Sequence, residues 1–149
     1  MAAGLSVRPE AMPALALRFE AAVRERTTAE DFIPVVRVDC ELPFRSIDGR
    51  CIEDLKLLDP TGPSNSRPVF VTRGVRVRER RVVGTSHLRL YLEHEGQGLA
   101  AIAFGMGKLP VEIGQSLDVL HTPLLSEWNG KRSVELRVHD LRPERQQSP

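Results

Sequence analysis

The feature that most restricts the fold of this chain is the Asn129-Gly130 pair, set between two apolar runs. Leu117, Val119 and Leu124-Leu125 precede the pair, and Val134, Leu136 and Val138 follow it. Both turn residues tolerate positive φ, the condition for a type I′ turn, so the spacing predicts a β-hairpin with a two-residue loop. The same stretch, Ser126 to Val138, carries the only tryptophan, Trp128, and the basic pair Lys131-Arg132. A solvated hairpin tip has no packing need for an indole ring. The tip is therefore a candidate contact for a partner.

The residues upstream supply more strands. Val69 to Val83 is a long β pattern in which Val69, Val71, Val75 and Val77 stand against Arg76, Arg78 and Arg80. His87 to Glu93 alternates with Leu88, Leu90 and Leu92 inward and His87, Arg89 and Tyr91 outward. Gly96 to Gly98 reads as a turn and Leu99 to Phe104 as a third strand. Ser116 to Leu125 and Lys131 to Leu141 are the fourth and fifth, joined by the hairpin. Five strands in about 75 residues, with a break after the third, match the OB-fold, a small Greek-key barrel that binds oligonucleotides. A plain five-stranded barrel or sandwich without a ligand fits the pattern too.

Before the barrel, residues 10 to 26 read as a helix, with Met12, Leu15, Phe19 and Val23 at spacings of three and four. Ile33 to Leu42 reads as a valine-rich strand. Ser46 is a candidate N-cap for a second helix to about Leu58, carrying Ile52, Leu55 and Leu58 on one stripe. The proline- and glycine-rich Asp59 to Pro68 marks the module boundary. The expected class is mostly β with an N-terminal α/β segment: a five-stranded OB-fold barrel preceded by two helices and a strand.

A chain of 149 residues suits one domain, or one domain plus an appended piece. Its 41% hydrophobic and 28% charged residues are those of a soluble globular protein. No apolar run approaches the ~20 residues that span a bilayer, and MAAGLSVRPE at the start has no signal-peptide core. The expectation is a cytoplasmic protein without a membrane partner. Cys40 and Cys51 provide no disulfide framework and read as reduced, small core residues.

The net charge of +1 hides an asymmetry. Glu30 to Asp59 holds eight acids against four bases, whereas Arg67 to Leu92 holds seven arginines against one acid, Glu79. A local excess of arginine attracts polyanions even when the chain is nearly neutral. Arg76, Arg78 and Arg80 sit at period two and would project from one face of their strand; His87, Arg89 and Tyr91 do the same on the next. If the two strands pair, cations and a ring share one surface, as single-stranded nucleic acid requires. The plain alternative is a solvated sheet face, with arginine protecting an edge. For Trp128 the plain alternative is a ring folded back onto the barrel end.

Signals for catalysis are poor. His87, His94, His121 and His139 have no spacing with carboxylates or cysteines that would make a metal-ligand set. Ser126 has no His/Asp partner in a motif context. Gly105 to Lys108, GMGK, imitates the end of a P-loop, but Leu109 replaces the required Ser/Thr and Ile102 occupies the first glycine position. No catalytic residue and no metal ligand is expected in this chain.

Three stretches together carry a resemblance: AAGLSVRPE, LKLLDPTGPSNSRPVF (Leu55 to Phe70) and LLSEWNGKRSVELRVHDLRP (Leu124 to Pro143). In this order they resemble the C-terminal part of the RecJ family, single-strand-specific DNA exonucleases of the DHH phosphoesterase group. The likeness runs from about Ala2 to Pro143, with departures at Thr61, Ser64, Ser66 and Arg67 from the family's PFGPGNPEPVF segment. It implies a partition: residues 1–30 the tail of a DHH-associated domain, 31–66 a connecting strand, helix and turn, 67–142 the OB-fold, and 143–149 a tail. The family's catalytic aspartates and histidines, which hold Mn²⁺ or Mg²⁺, lie upstream of the matching region. Met1 stands where the Gly-Gly-His motif would precede, so the chain is expected to be a truncation or stand-alone remnant without nuclease activity of its own. The implied function is a grip on single-stranded DNA for a 5′→3′ exonuclease of recombination and repair. The resemblance supplies no residue-by-residue contacts; the sequence pattern assigns that grip to Arg76, Arg78, Arg80, Arg89, Tyr91, Trp128, Lys131 and Arg132. The alternative is a protein-interaction module docking a partner such as a single-strand-binding protein, whose acidic tail would also suit an arginine face.

Overall fold

The computed structural model describes residues 4–33, 35–128 and 130–144. The chain divides into two compact units, Met1–Val36 and Arg37–Pro149. The first is built around α1 (Met12–Arg26), flanked by 3₁₀ turns at Pro9–Ala11 and Ala29–Phe32. Pro in the first turn costs no hydrogen bond there. Thr28 and Asp31 form a reciprocal cap on the second 3₁₀ turn. Leu17 and Phe19 of α1 are exposed.

The second unit opens with β1 (Cys40–Glu41), a 3₁₀ turn at Phe44–Ser46 and α2 (Gly49–Lys56). The strand expected over 33–42 is only these two residues, paired parallel with Phe70 and Val71. Val35, Val36 and Val38 lie exposed before it, without strand partners. Valine content favours a strand only where a neighbouring edge is available. The α2 cap also differs from expectation. Asp48, not Ser46, accepts the Cys51 N–H at 2.8 Å, and Ser46 ends the 3₁₀ turn. Cys40 is exposed and Cys51 half-buried, both as free thiols, so neither is the core residue expected.

Five strands close the barrel: β2 (Phe70–Val83), β3 (His87–His94), β4 (Gln97–Ala103), β5 (Ser116–Trp128) and β6 (Lys131–Pro143). The order is β1-β2-β3-β4-β6-β5, and β5 pairs back onto β2. All barrel pairs are antiparallel except β4 with β6. One long strand, β2, serves both sides of the barrel: Phe70 to Arg76 pair with β5, and Arg76 to Val83 with β3. The bend between these halves falls at Gly74, at φ +65°, where the β5 register shifts. Only glycine adopts that backbone without strain. The interior holds Val75, Val77, Leu88, Leu90, Leu92, Leu136 and their neighbours, the period-two sets of the five strands. Phe44, fully buried, joins this core edge-on to His94 and His121.

Two histidine–threonine pairs fasten the segments before β2 to the barrel. Thr72 Oγ1 donates to the Leu42 carbonyl, so it accepts from His121 Nε2 at 2.8 Å. Thr122 repeats this with the Pro68 carbonyl and His139, both at 2.9 Å. His121 is fully buried and its Nδ1 has no partner. Burial pushes its imidazole down to about 4, with a smaller push from His139.

Candidate nucleic-acid interface

Residues directly opposite in an antiparallel pair share a sheet face. On β3 the inward set is Leu88, Leu90 and Leu92, which leaves His87, Arg89, Tyr91 and Glu93 on the outer face, as expected. The outer face of β2 is not the one that period two predicts. Val77 opposes Leu92 and Glu79 opposes Tyr91, so Arg78 is an extra residue in a β-bulge. Before the bulge Arg76 opposes Glu93 and faces outward; after it Arg80 opposes Leu90 and Arg81 opposes Arg89. Arg80 is thus exposed on the core-side face beyond the bulge, and Arg81 takes its place beside Arg89. The three arginines at period two do not share one face.

Strand β6 completes the surface, because its parallel pairing with β4 sets Ala100 beside Glu135 and Ile102 beside Arg137. Outer-face residues therefore fall into rows across the strands. Glu79, Tyr91, Ala100 and Glu135 make one row, and Arg81, Arg89, Ile102 and Arg137 the next. Arg137 and Arg81 lie on this face and were not singled out from the sequence. The signal for Arg137 was present in the alternation Val134, Leu136, Val138, which leaves Glu135 and Arg137 on the other side. No composition signal marks the bulge that brings in Arg81.

The ring of Tyr91 lies across Gly98. A Cβ built on Gly98 would meet the Tyr91 hydroxyl and sit 2.7 and 2.9 Å from the ring's Cζ and Cε1. The glycine therefore lets the ring lie down on the sheet, and Tyr91 as a whole is 42% exposed. Such a ring offers a π-face to solvent, one row from Arg81 and Arg89.

Acids tune the arginines. Arg78 forks onto Glu93 at 3.0 and 2.7 Å, and this pairing holds the Glu93 carboxyl below its ordinary range. Arg89 lies 3.2 Å from the Glu135 carboxylate, whose side chain is largely buried, yet the pair is not aligned for a hydrogen bond. Misalignment leaves the guanidinium donors of Arg89 available to a phosphate. Among the described residues Arg76, Arg80, Arg81 and Arg137 form no ion pair with an acid. The face thus keeps a surplus of positive charge.

The β5–β6 hairpin has the two-residue connection expected: Trp128 pairs with Lys131 and Gly130 sits at φ +72°. Arg132 opposes Glu127 and pairs with its carboxylate at 3.3 Å. The side chains of Trp128 and Lys131, and Asn129 itself, lie outside the described residues, and with them the choice between base stacking and packing for Trp128.

Among the described residues no three His, Cys, Asp or Glu side chains are grouped so as to hold a metal ion. No helix among them is long and apolar enough to cross a membrane.

Comparison with known proteins agrees with the architecture. The chain is 27% identical over 144 residues to the single-stranded-DNA-specific exonuclease RecJ of Bacillus subtilis (strain 168), an alignment covering 94% of this chain and 18% of that protein. It is 33% identical over 153 residues to the same-named protein of Dickeya dadantii (strain 3937), covering 96% of this chain and 25% of that one. The crystal structure of RecJ from Thermus thermophilus in complex with Mn²⁺ superposes with a TM-score of 0.73 at 26% identity, over 96% of this chain and 21% of that one. The chain thus spans a quarter or less of these relatives. The RecJ OB domain model matches residues 38–140, a stretch that takes in β1, α2 and the barrel strands as far as the latter part of β6, and so the chain belongs to the RecJ family and carries its OB domain.

Proposed function

We propose that this chain is the single-stranded-DNA grip of a RecJ-type 5′→3′ exonuclease acting in recombination and repair. The observation that carries the proposal is the outer face of β2, β3, β4 and β6. There Arg81, Arg89 and Arg137 make a cationic row next to a tyrosine laid flat over a glycine. Phosphates pair with the arginines and an unstacked base lies on the ring. Arg76 and Arg78 extend the positive surface, Arg80 lies on the core-side face beyond the bulge and stands apart from it, and the hairpin residues Trp128, Lys131 and Arg132 are proposed as further contacts. Hydrolysis, with its Mn²⁺ or Mg²⁺, belongs to other parts of the parent enzyme, and the isolated chain is expected to show no activity in a Mn²⁺ nuclease assay. Titrating the chain with labelled oligo-dT at several salt concentrations tests the grip. Three or four phosphate contacts give a log–log slope of about −2 to −3. Absent or salt-insensitive binding overturns the proposal.

One observation favours a second reading. An apolar groove of about 280 Å³ runs between α2 and β5, walled by Ile52, Leu55, Pro123 and Leu124, with Arg67, Asp59 and the Glu53-paired Lys56 also in its lining. An acidic peptide with an apolar end, such as the tail of a single-strand-binding protein, suits that chemistry. If an acidic peptide binds without displacing oligo-dT, the groove is a separate protein site. Displacement places both ligands on the arginine face.

A further inference from the structure

We propose that Phe104, one row beyond the arginines, forms with Arg137 of that row a second base-stacking position for single-stranded nucleic acid. The inference rests on the grip described above and deepens it. Among the described residues of the barrel, Phe44 and Phe70 are buried, whereas Tyr91 and Phe104 reach solvent, and Phe104 is 51% exposed. A half-exposed phenyl adds little to folding, and a single exposed apolar side chain would by itself be unremarked. The surroundings of Phe104 set it apart. The Arg137 guanidinium carbon lies over its ring, 5.5 Å from the centroid. His87 meets it edge-on at 5.2 Å and 72°.

The backbone around this cluster is fixed. His87 Nδ1 accepts the Gly105 N–H at 3.1 Å, which leaves the proton of the neutral imidazole on Nε2. Gly105 turns the chain at φ +73° directly after Phe104. Gly107 donates to the Ser86 carbonyl at 2.8 Å, and a Cβ on it would sit 2.9 Å from the Ser86 carbonyl carbon. The GMGK stretch is thus a clasp, not a phosphate loop. Its glycines turn the chain away from Phe104 and lock the turn to the β2–β3 loop. A ring held this way loses little freedom when a ligand arrives.

The placement suits a strand of nucleotides. His87 and Phe104 stand one row beyond Arg81, Arg89 and Arg137, and Tyr91 stands one row before them. Tyr91 and His87 are four residues apart on β3, about 13 Å at ~3.3 Å per residue. Two rings thus bracket a cationic row, so that phosphates meet the centre and bases meet the two ends. The guanidinium of Arg137 adds a second planar surface on which a base can lie.

The test uses the full chain with Phe104→Ala, Phe104→Leu and Phe104→Trp. Each is titrated with oligo-dT and with an abasic oligonucleotide of the same length, and thermal melts confirm folding. Phe104→Ala and Phe104→Leu are expected to weaken oligo-dT binding about tenfold, the range of one lost base stack. Phe104→Leu keeps the apolar bulk, so its loss reports the ring. Affinity for the abasic strand and the salt slope stay unchanged, and Phe104→Trp binds oligo-dT at least as well as the parent. Undiminished oligo-dT binding by Phe104→Ala, or an equal loss for the abasic strand, overturns the inference while leaving the arginine face intact. Failure of the unmutated chain to bind oligo-dT removes the face itself, and this position with it.

Discussion

Gly98→Ala separates the geometry of Tyr91 from its mere presence. The new methyl group would occupy the space now held by the ring's hydroxyl end, so the ring must swing off the sheet. Lifting it exposes on the order of 50 Å² of apolar surface, which costs about 1 kcal/mol at ~25 cal/mol per Å². Replacing a strand glycine by alanine returns about 0.5–1 kcal/mol of backbone entropy. The two terms nearly cancel, so the melting transition is expected to move little. Binding behaves differently. A ring that no longer lies flat forfeits one base stack, about 1–3 kcal/mol, or roughly 5- to 150-fold in affinity. Fluorescence anisotropy with oligo-dT, alongside a thermal melt, reads both quantities. The double variant Tyr91→Ala/Gly98→Ala closes a cycle: once the ring is gone, Gly98→Ala has no further effect on binding. Wild-type affinity for Gly98→Ala, or additive losses in the double variant, refutes the claim that the flat ring holds a base.

Three further outcomes follow from the structure. His121 is held neutral in the fold with its imidazole at about 4, below the ordinary value of 6.5, so the unfolded chain binds more protons between these limits. Its contribution is fully present above about pH 6.5 and is lost as pH falls toward 4, about 3 kcal/mol in all; a His121→Asn chain, followed by urea unfolding from pH 7 to 4, loses less than the parent. Because the bulge puts Arg81 and not Arg80 beside Arg89, Arg81→Ala should reduce the salt slope of oligo-dT binding by about 0.7, while Arg80→Ala leaves it nearly unchanged. Phe44→Ala empties a fully buried site in the barrel core and should cost about 3–5 kcal/mol in denaturant unfolding, because the strands around it cannot collapse into the gap.

The parts of the fold that were legible in the sequence are those governed by alternation. Leu88, Leu90 and Leu92 announce an inward face whatever their neighbours are, and the Asn129-Gly130 spacing sets the β5–β6 connection by turn chemistry alone. A bulge has no such signature. One extra residue at Arg78 reverses the facing of everything after it, so an argument from period two assigned Arg80 to the outer face where Arg81 stands. The strand expected over residues 33–42 failed for a related reason: valines mark a segment able to pair, not one that finds an edge, and only Cys40 and Glu41 find β2. Arg137 and Phe104 entered the site through tertiary pairing. Their proximity depends on β6 running parallel to β4, which no local pattern encodes. The glycines at 98, 105 and 107 became interpretable only once their neighbours in space were known.

Chemical-shift mapping of the labelled chain during titration with oligo-dT tests the central claim most directly. If the outer face grips single-stranded DNA, the largest changes fall on Arg81, Arg89, Tyr91, Ala100 and Arg137, while Ile52, Leu55 and Leu124 in the α2–β5 groove stay still. Changes concentrated in that groove, with the outer face silent, would contradict the account.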